Sequence, residues 1–168
     1  MQLNDPDTII RKADALVRSA GTREPLALAA ELGITVYYPP FATQKGVYTI
    51  IKRNPYIFLK QDLDPVMRDI VILHEIGHHL LHKKRARIFQ EFSLFDMTSS
   101  AMEYEANLFA AHIALPDDEI LDYIYEGYSA DQISAAMHSD INLVAIKVSD
   151  LSRRGHAFRV PEHKNNFL

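Results

Sequence analysis

Asp64-Pro65-Val66-Met67-Arg68-Asp69-Ile70-Val71-Ile72-Leu73-His74-Glu75-Ile76-Gly77-His78-His79-Leu80-Leu81-His82 is the stretch on which the fold turns. Asp64 is an N-cap candidate and Pro65 follows at the first helical position, the usual opening of a helix. Ile70 to Leu73 is apolar all round, which predicts a central, buried helix rather than one lying on the surface. Inside it, His74-Glu75-Ile76-Gly77-His78 is an H-E-x-x-H motif. Residues four apart lie one above the other on a helical face. His74 and His78 can therefore aim imidazole nitrogens at one metal ion, while Glu75 reaches the edge of the same site. Zn²⁺ takes histidine nitrogen in tetrahedral geometry, and a catalytic site leaves one position open. Glu75 then suits a general base that removes a proton from an attacking water. The competing reading is chance, two surface histidines and a glutamate at helical spacing. A buried helix weighs against it, because histidines there are costly unless hydrogen-bonded or bound to metal. Gly77 costs about 1 kcal/mol of helix stability relative to alanine, which points to a neighbouring element packed close.

A metal site of this kind needs a third protein ligand. A histidine six residues after His78 would continue one known pattern, but that position is Lys84. A glutamate from a second helix is the other pattern, and Met102 to Leu115 reads as that helix. It follows Thr98-Ser99-Ser100 and stops before Pro116. Glu103 and Asn107 are four apart and share a face with Ala106 and Ala110, whose small side chains permit close approach to the first helix. Glu103 could ligate the metal, and Asn107 could hold a ligating imidazole in place. Two rivals stay open. Ser100-x-x-Glu103 also fits a capping box, in which Glu103 bonds only the Ser100 amide, and Glu105 is a second candidate ligand on a different face.

The run His74-Glu75-Ile76-Gly77-His78-His79-Leu80-Leu81-His82, followed by Glu103-x-x-Ala106-Asn107-x-Phe109-Ala110 and a closing Leu115-Pro116, resembles the ImmA/IrrE family of small metallopeptidases. The resemblance extends over about residues 5 to 150. It implies an α+β, minigluzincin-like fold: a small three-stranded antiparallel sheet packed on the H-E-x-x-H helix and a Glu-bearing helix, with N- and C-terminal helices. It implies one zinc ion held by His74, His78 and Glu103, with Glu75 as general base. It also implies a protein substrate, a DNA-binding repressor of the helix-turn-helix type whose cleavage releases phage, mobile-element or stress genes. Ala114-Leu115-Pro116 departs from the Leu-Met-Pro usual in the family, a mild packing change.

Composition agrees with a compact enzyme. The chain has 168 residues, 48% of them hydrophobic, enough for one domain that buries a core. There are no cysteines, so neither disulfides nor thiolate metal sites are available. No apolar run approaches the ~20 residues of a membrane span, and Met1-Gln2-Leu3-Asn4-Asp5 is no signal peptide, so the expected location is cytoplasmic. A formal charge of −4 argues against broad affinity for nucleic acid.

The remaining segments organise around the site. Thr8 to Ser19 has helical periodicity, Gly21-Thr22 breaks it, and Pro25 to Leu32 forms a second helix ending at Gly33. Ile34 to Tyr38 is β-rich and stops at Pro39-Pro40. Val47 to Lys52 and Tyr56 to Lys60 flank Arg53-Asn54-Pro55 as a hairpin. An extended substrate could add at the edge of such a sheet, although the hairpin could equally serve only to roof the core. Ser129 to Met137 and Ile141 to Leu151 resemble a helix-turn-helix within residues 129–153. Lys147, Arg153 and Arg154 are few and are offset by Asp131, Asp140 and Asp150, which favours packing or substrate recognition over DNA binding. A single domain over residues 1–158 with a loose tail at 159–168 is expected. His82 shares a face with His78 and is left outside the ligand set. His112, His138, His156 and His163 read as ordinary histidines. None of Tyr104, Tyr123, Tyr125 and Tyr128 is singled out to stabilise an oxyanion. Two alternatives compete with a peptidase: a zinc-containing partner-binding module without catalysis, and a DNA-binding regulator. An intact Glu75 disfavours the first and the acidic balance the second.

Overall fold

Local signals set most of the helix boundaries. In the computed structural model, which describes residues 4–82 and 101–160, α1 spans Pro6–Ala20 and ends at Gly21 in the left-handed region (φ 69°). α2 (Pro25–Glu31) starts behind Glu24, whose carboxylate accepts from the amides of Leu26 and Ala27. Three strands follow: β1 (Thr35–Tyr37), β2 (Gly46–Ile51) and β3 (Asn54–Leu59). Next come α3 (Pro65–His82), α4 (Ala101–Ala114), α5 (Asp117–Tyr125), α6 (Ala130–Ala136) and α7 (Ile141–Arg153). Asp64 caps α3 by accepting from the Met67 amide at 3.0 Å. Ser129 and Gln132 form a capping box on α6, and Asp140 caps α7.

The architecture is α+β, with a three-stranded sheet in the order β1-β3-β2. The sheet is mixed, which corrects the expectation of an antiparallel one. β2 and β3 form an antiparallel hairpin, but β1 runs parallel to β3. The cause is the connection after β1. It starts at Tyr38-Pro39-Pro40, is too long for a tight hairpin, and carries the chain to the far edge. The hairpin then returns β3 beside β1 in the same direction. Its turn is also shifted from the expected Arg53-Asn54-Pro55. Lys52 and Arg53 take φ of 48° and 69°, the two left-handed residues of a type I′ turn, while Asn54 and Pro55 already pair with Ile51 and Ile50. Pro55 fits because β1 pairs β3 only from Tyr56 onward.

Tyr48, Ile57 and Leu59 turn inward from the sheet and pack with Ile70, Val71, Ile72, Leu73 and Ile76 of α3. On the other face Tyr37, Tyr56 and Phe58 stack at about 6 Å between ring centroids. α3 packs most extensively on α4, and α4 also contacts α1 and α7. Gly77 explains that closeness: a Cβ there would meet Ala106 at 3.1 Å from its Cα and 3.2 Å from its carbonyl oxygen. α5 was not anticipated, since Pro116 reads as a terminator of α4, yet Asp117, Asp118 and Glu119 give it an acidic first turn. Residues 161–168 of the expected tail lie outside the described residues.

Candidate metal centre

His74 and His78 project from one face of α3 and Glu103 comes from the first turn of α4. His74 Nε2 and His78 Nε2 are 3.0 Å apart. Glu103 places Oε2 3.1 Å from His74 Nε2 and Oε1 3.2 Å from His78 Nε2. All three residues are at most 3% exposed. Among the described residues they form the one group of this kind whose ligand atoms lie close enough to share a metal ion. The donor set fits a cation. Two ring nitrogens and a carboxylate crowd together in a buried space, where their lone pairs repel unless protons or a metal stand between them. The mixed nitrogen and oxygen set suits a borderline divalent ion such as zinc.

His74 is oriented from behind. Its Nδ1–H donates to Asn107 Oδ1 at 2.7 Å, which leaves Nε2 for the cluster. The other end of that amide, Nδ2, is buried without a partner. Asn107 is thus held by its contact with His74. Burial works against the Glu103 charge, but the hydrogen bonds and charges of His74 and His78 hold its carboxyl well below the usual carboxylate range. Burial pulls His78 down to about 4, with the hydrogen bond to Glu103 opposing. Capping by Glu103 cannot be set beside this geometry, because Ser100 lies outside the described residues.

Glu75 points toward β2 rather than into the trio. It accepts from the Tyr48 backbone N–H, and burial pushes its carboxyl up to about 7, reinforced by Glu103 and only partly offset by His74 and that N–H. Gly46 is required beside it. A Cβ at position 46 would collide with Val71 and lie 3.3 Å from Glu75 Oε1. The ladder phase follows from Lys60 N–H donating to Lys45 O at 2.8 Å. In an antiparallel pair bonded residues alternate, so residues 47, 49 and 51 bond β3 while Gly46, Tyr48 and Ile50 direct their polar groups to the edge that no strand among the described residues covers. Among the described residues, β2 therefore presents an unpaired edge on the side where Glu75 lies.

Glu105 is not part of the trio. Its carboxylate accepts from Asn4 N–H at 2.9 Å and Asn4 Nδ2 at 2.6 Å, and lies 3.0 Å from His82 Nε2. His82 in turn places Nδ1 3.0 Å from His78 Nδ1. The i+4 spacing of His78 and His82 made that contact readable in sequence, but the Asn4–Glu105 pairing spans 101 positions and left no local signal. A further contact unread in the sequence joins His79 Nδ1 to Tyr48 Oη at 2.7 Å. His112 is buried and bonds Asp14 and Lys147. Tyr123 packs on Tyr128, and Tyr125 on Phe158.

An H-E-x-x-H helix crossed by a helix that supplies a buried glutamate, beneath a small sheet, defines the class of H-E-x-x-H metallopeptidases. Residues 29–149 match the model of the peptidase M78 family, described as the IrrE N-terminal-like domain, and the chain belongs to this ImmA/IrrE family. It is 32% identical over 152 residues to Uncharacterized immunity region protein 2 of Bacillus phage phi105, covering 88% of this chain and 92% of that protein. It is 33% identical over 87 residues to Metallopeptidase ImmA of Bacillus subtilis (strain 168), covering 50% of each. No helix among the described residues is long and apolar enough to cross a membrane.

Proposed function

We propose that the chain is a zinc-dependent endopeptidase that cuts one specific cytoplasmic DNA-binding repressor. The observation that carries the reading is the convergence of His74, His78 and Glu103 next to Glu75 and the open edge of β2. His74, His78 and Glu103 would hold the ion, which when bound supplies a Lewis acid for the scissile carbonyl and the attacking water. Glu75 accepts the water proton and returns it to the leaving amine. A flexible segment of substrate pairs along the edge groups of Gly46 and Ile50, and backbone pairing gives affinity with little sequence preference. Specificity then comes from docking of the folded partner. The phage relative carries the words immunity region in its name.

The C-terminal helices suit docking or packing better than DNA contact. Lys147 is fully buried against Asp117. Arg153 bonds Asp7 and Asp150, and Arg154 bonds Asp117 and Asp150. Cations engaged in this way are poorly placed to neutralise phosphates.

The decisive experiment is co-expression with a candidate helix-turn-helix repressor, comparing wild type with Glu75→Gln and mapping fragments by mass spectrometry. Wild type should give a single cut, and Glu75→Gln should retain metal and fold but leave the repressor whole. Full cleavage by Glu75→Gln would sink the mechanism, and efficient degradation of unrelated unfolded proteins with the repressor intact would favour a general peptidase.

A further inference from the structure

His78 has a second ring nitrogen, and what it touches is a histidine whose far side meets a carboxylate. The chain of contacts runs Glu105 Oε2 to His82 Nε2 at 3.0 Å, then His82 Nδ1 to His78 Nδ1 at 3.0 Å. His78 Nε2 ends the chain inside the metal cluster. His78, His82 and Glu105 are all at most 8% exposed.

The protons in this chain can be placed by elimination. Glu105 already accepts two hydrogen bonds from Asn4, one on each oxygen, so both of its oxygens act as acceptors. His82 Nε2 must then carry a hydrogen and donate it to Glu105. A neutral imidazole has one donor and one acceptor nitrogen, so His82 Nδ1 is an acceptor. His78 Nδ1 therefore donates to it, and His78 Nε2 is left with its lone pair facing Glu103 and His74.

We propose that His82 and Glu105 are positioning residues that lock His78 in the tautomer able to ligate a metal through Nε2. The inference rests on the metal-site reading above, and it extends the ordinary carboxylate–histidine support of a ligand by one further ring. Each ligating histidine then has its own brace, Asn107 behind His74 and the His82–Glu105 pair behind His78. Asn4 completes the second brace, so the segment before α1 is tied to the metal centre. The difference in braces is chemical as well as spatial. Asn107 offers a neutral acceptor, whereas the His82–Glu105 pair ends in a charge that makes the His78 nitrogen a stronger donor to a cation.

The test uses full-length protein, Zn²⁺ as the probe and no peptide cleavage. Zinc affinity is measured by chelator competition for wild type, His82→Leu, His82→Gln, Glu105→Leu, Glu105→Gln and the double variant His82→Leu/Glu105→Leu. Loss of the relay should weaken binding roughly 10–100-fold in the two leucine variants. The double variant should be no worse than His82→Leu alone, because both act through one path. The glutamine variants, which keep an oxygen acceptor, should recover most of the affinity. Nitrogen-15 NMR of the metal-free protein gives an independent readout: His78 should be protonated on Nδ1 in wild type and shift toward Nε2–H in His82→Leu. A merely structural role for His82 would alter melting without moving that tautomer. If wild type binds zinc and His82→Leu matches it in affinity and tautomer, the relay is overturned while the metal site stands. If wild type binds no zinc, the metal reading falls and takes the relay with it.

Discussion

Glu103 has two possible uses that a single substitution separates. As a ligand, its replacement by alanine removes one of three protein donors, so Glu103→Ala should lose nearly all bound zinc under conditions that saturate wild type. As a cap, it would cost only about 0.5–2 kcal/mol of stability and leave metal content intact. Metal analysis beside thermal melting decides between them. Asn107→Ala should weaken zinc by about 10–100-fold, since it removes the acceptor for His74 Nδ1–H and not a ligand. At this scale much of the site was legible. His74, Glu75 and His78 announce themselves by i, i+4 spacing, and Glu103 with Asn107 repeats the same step on the next helix. The rivalry of Glu105 was not resolvable in sequence, because its partners Asn4 and His82 are joined only by folding.

Helix contact and strand direction differ in how openly the sequence declares them. Gly77 advertised a close neighbour, and Ala106 is that neighbour. The pair sets the spacing of α3 and α4 midway along the site, one turn from both His74 and Glu103. Gly77→Ala gains about 1 kcal/mol of helix propensity, but the added methyl presses on backbone that cannot swing away, and overpacking costs about 1–3 kcal/mol. The expected outcome is a net loss of stability by denaturant unfolding together with weaker zinc binding, since α4 must retreat. A rise in both would show that the helices have slack. The sheet was less legible. Which strands exist follows from β-rich runs between turn residues, but pairing direction depends on where an eight-residue connection carries the chain. The Lys52-Arg53 turn lacks the usual Asn-Gly signature, so the neighbouring Asn-Pro misled. α5 was missed for a related reason: a proline that ends one helix also begins the next.

At the scale of the molecule, a buried polar network fastens the C-terminal helices to the core that carries the candidate metal centre. His112 on α4 donates from Nε2 to Asp14 of α1 at 2.8 Å and accepts at Nδ1 from Lys147 of α7 at 3.0 Å, with Asp117 of α5 at 3.9 Å. Lys147 looked like a surface cation in sequence, because nothing local marks a lysine whose partners lie on other helices. Burial, and then the Lys147 charge, lower the His112 pKa from 6.5 despite Asp14 and Asp117. A depressed folded-state value means that the unfolded chain binds the extra proton first. The contribution of His112 is thus fully present above about pH 6.5 and is lost as pH falls through its folded value. Denaturant unfolding in chelator at about pH 7.5 and 5.5 should show wild type losing stability on acidification, and His112→Gln losing measurably less. Equal losses would remove His112 from the account. The same long reach has a temporal side. Asn4 meets Glu105 across 101 positions and Asp7 meets Arg153 across 146, spans that close slowly compared with hairpins and helices. On the ribosome, the two histidines emerge well before Glu103, Glu105 and the helices that brace them. A half-made chain thus holds only two of the three grouped side chains, and the candidate centre is complete only once the helices after it have been made.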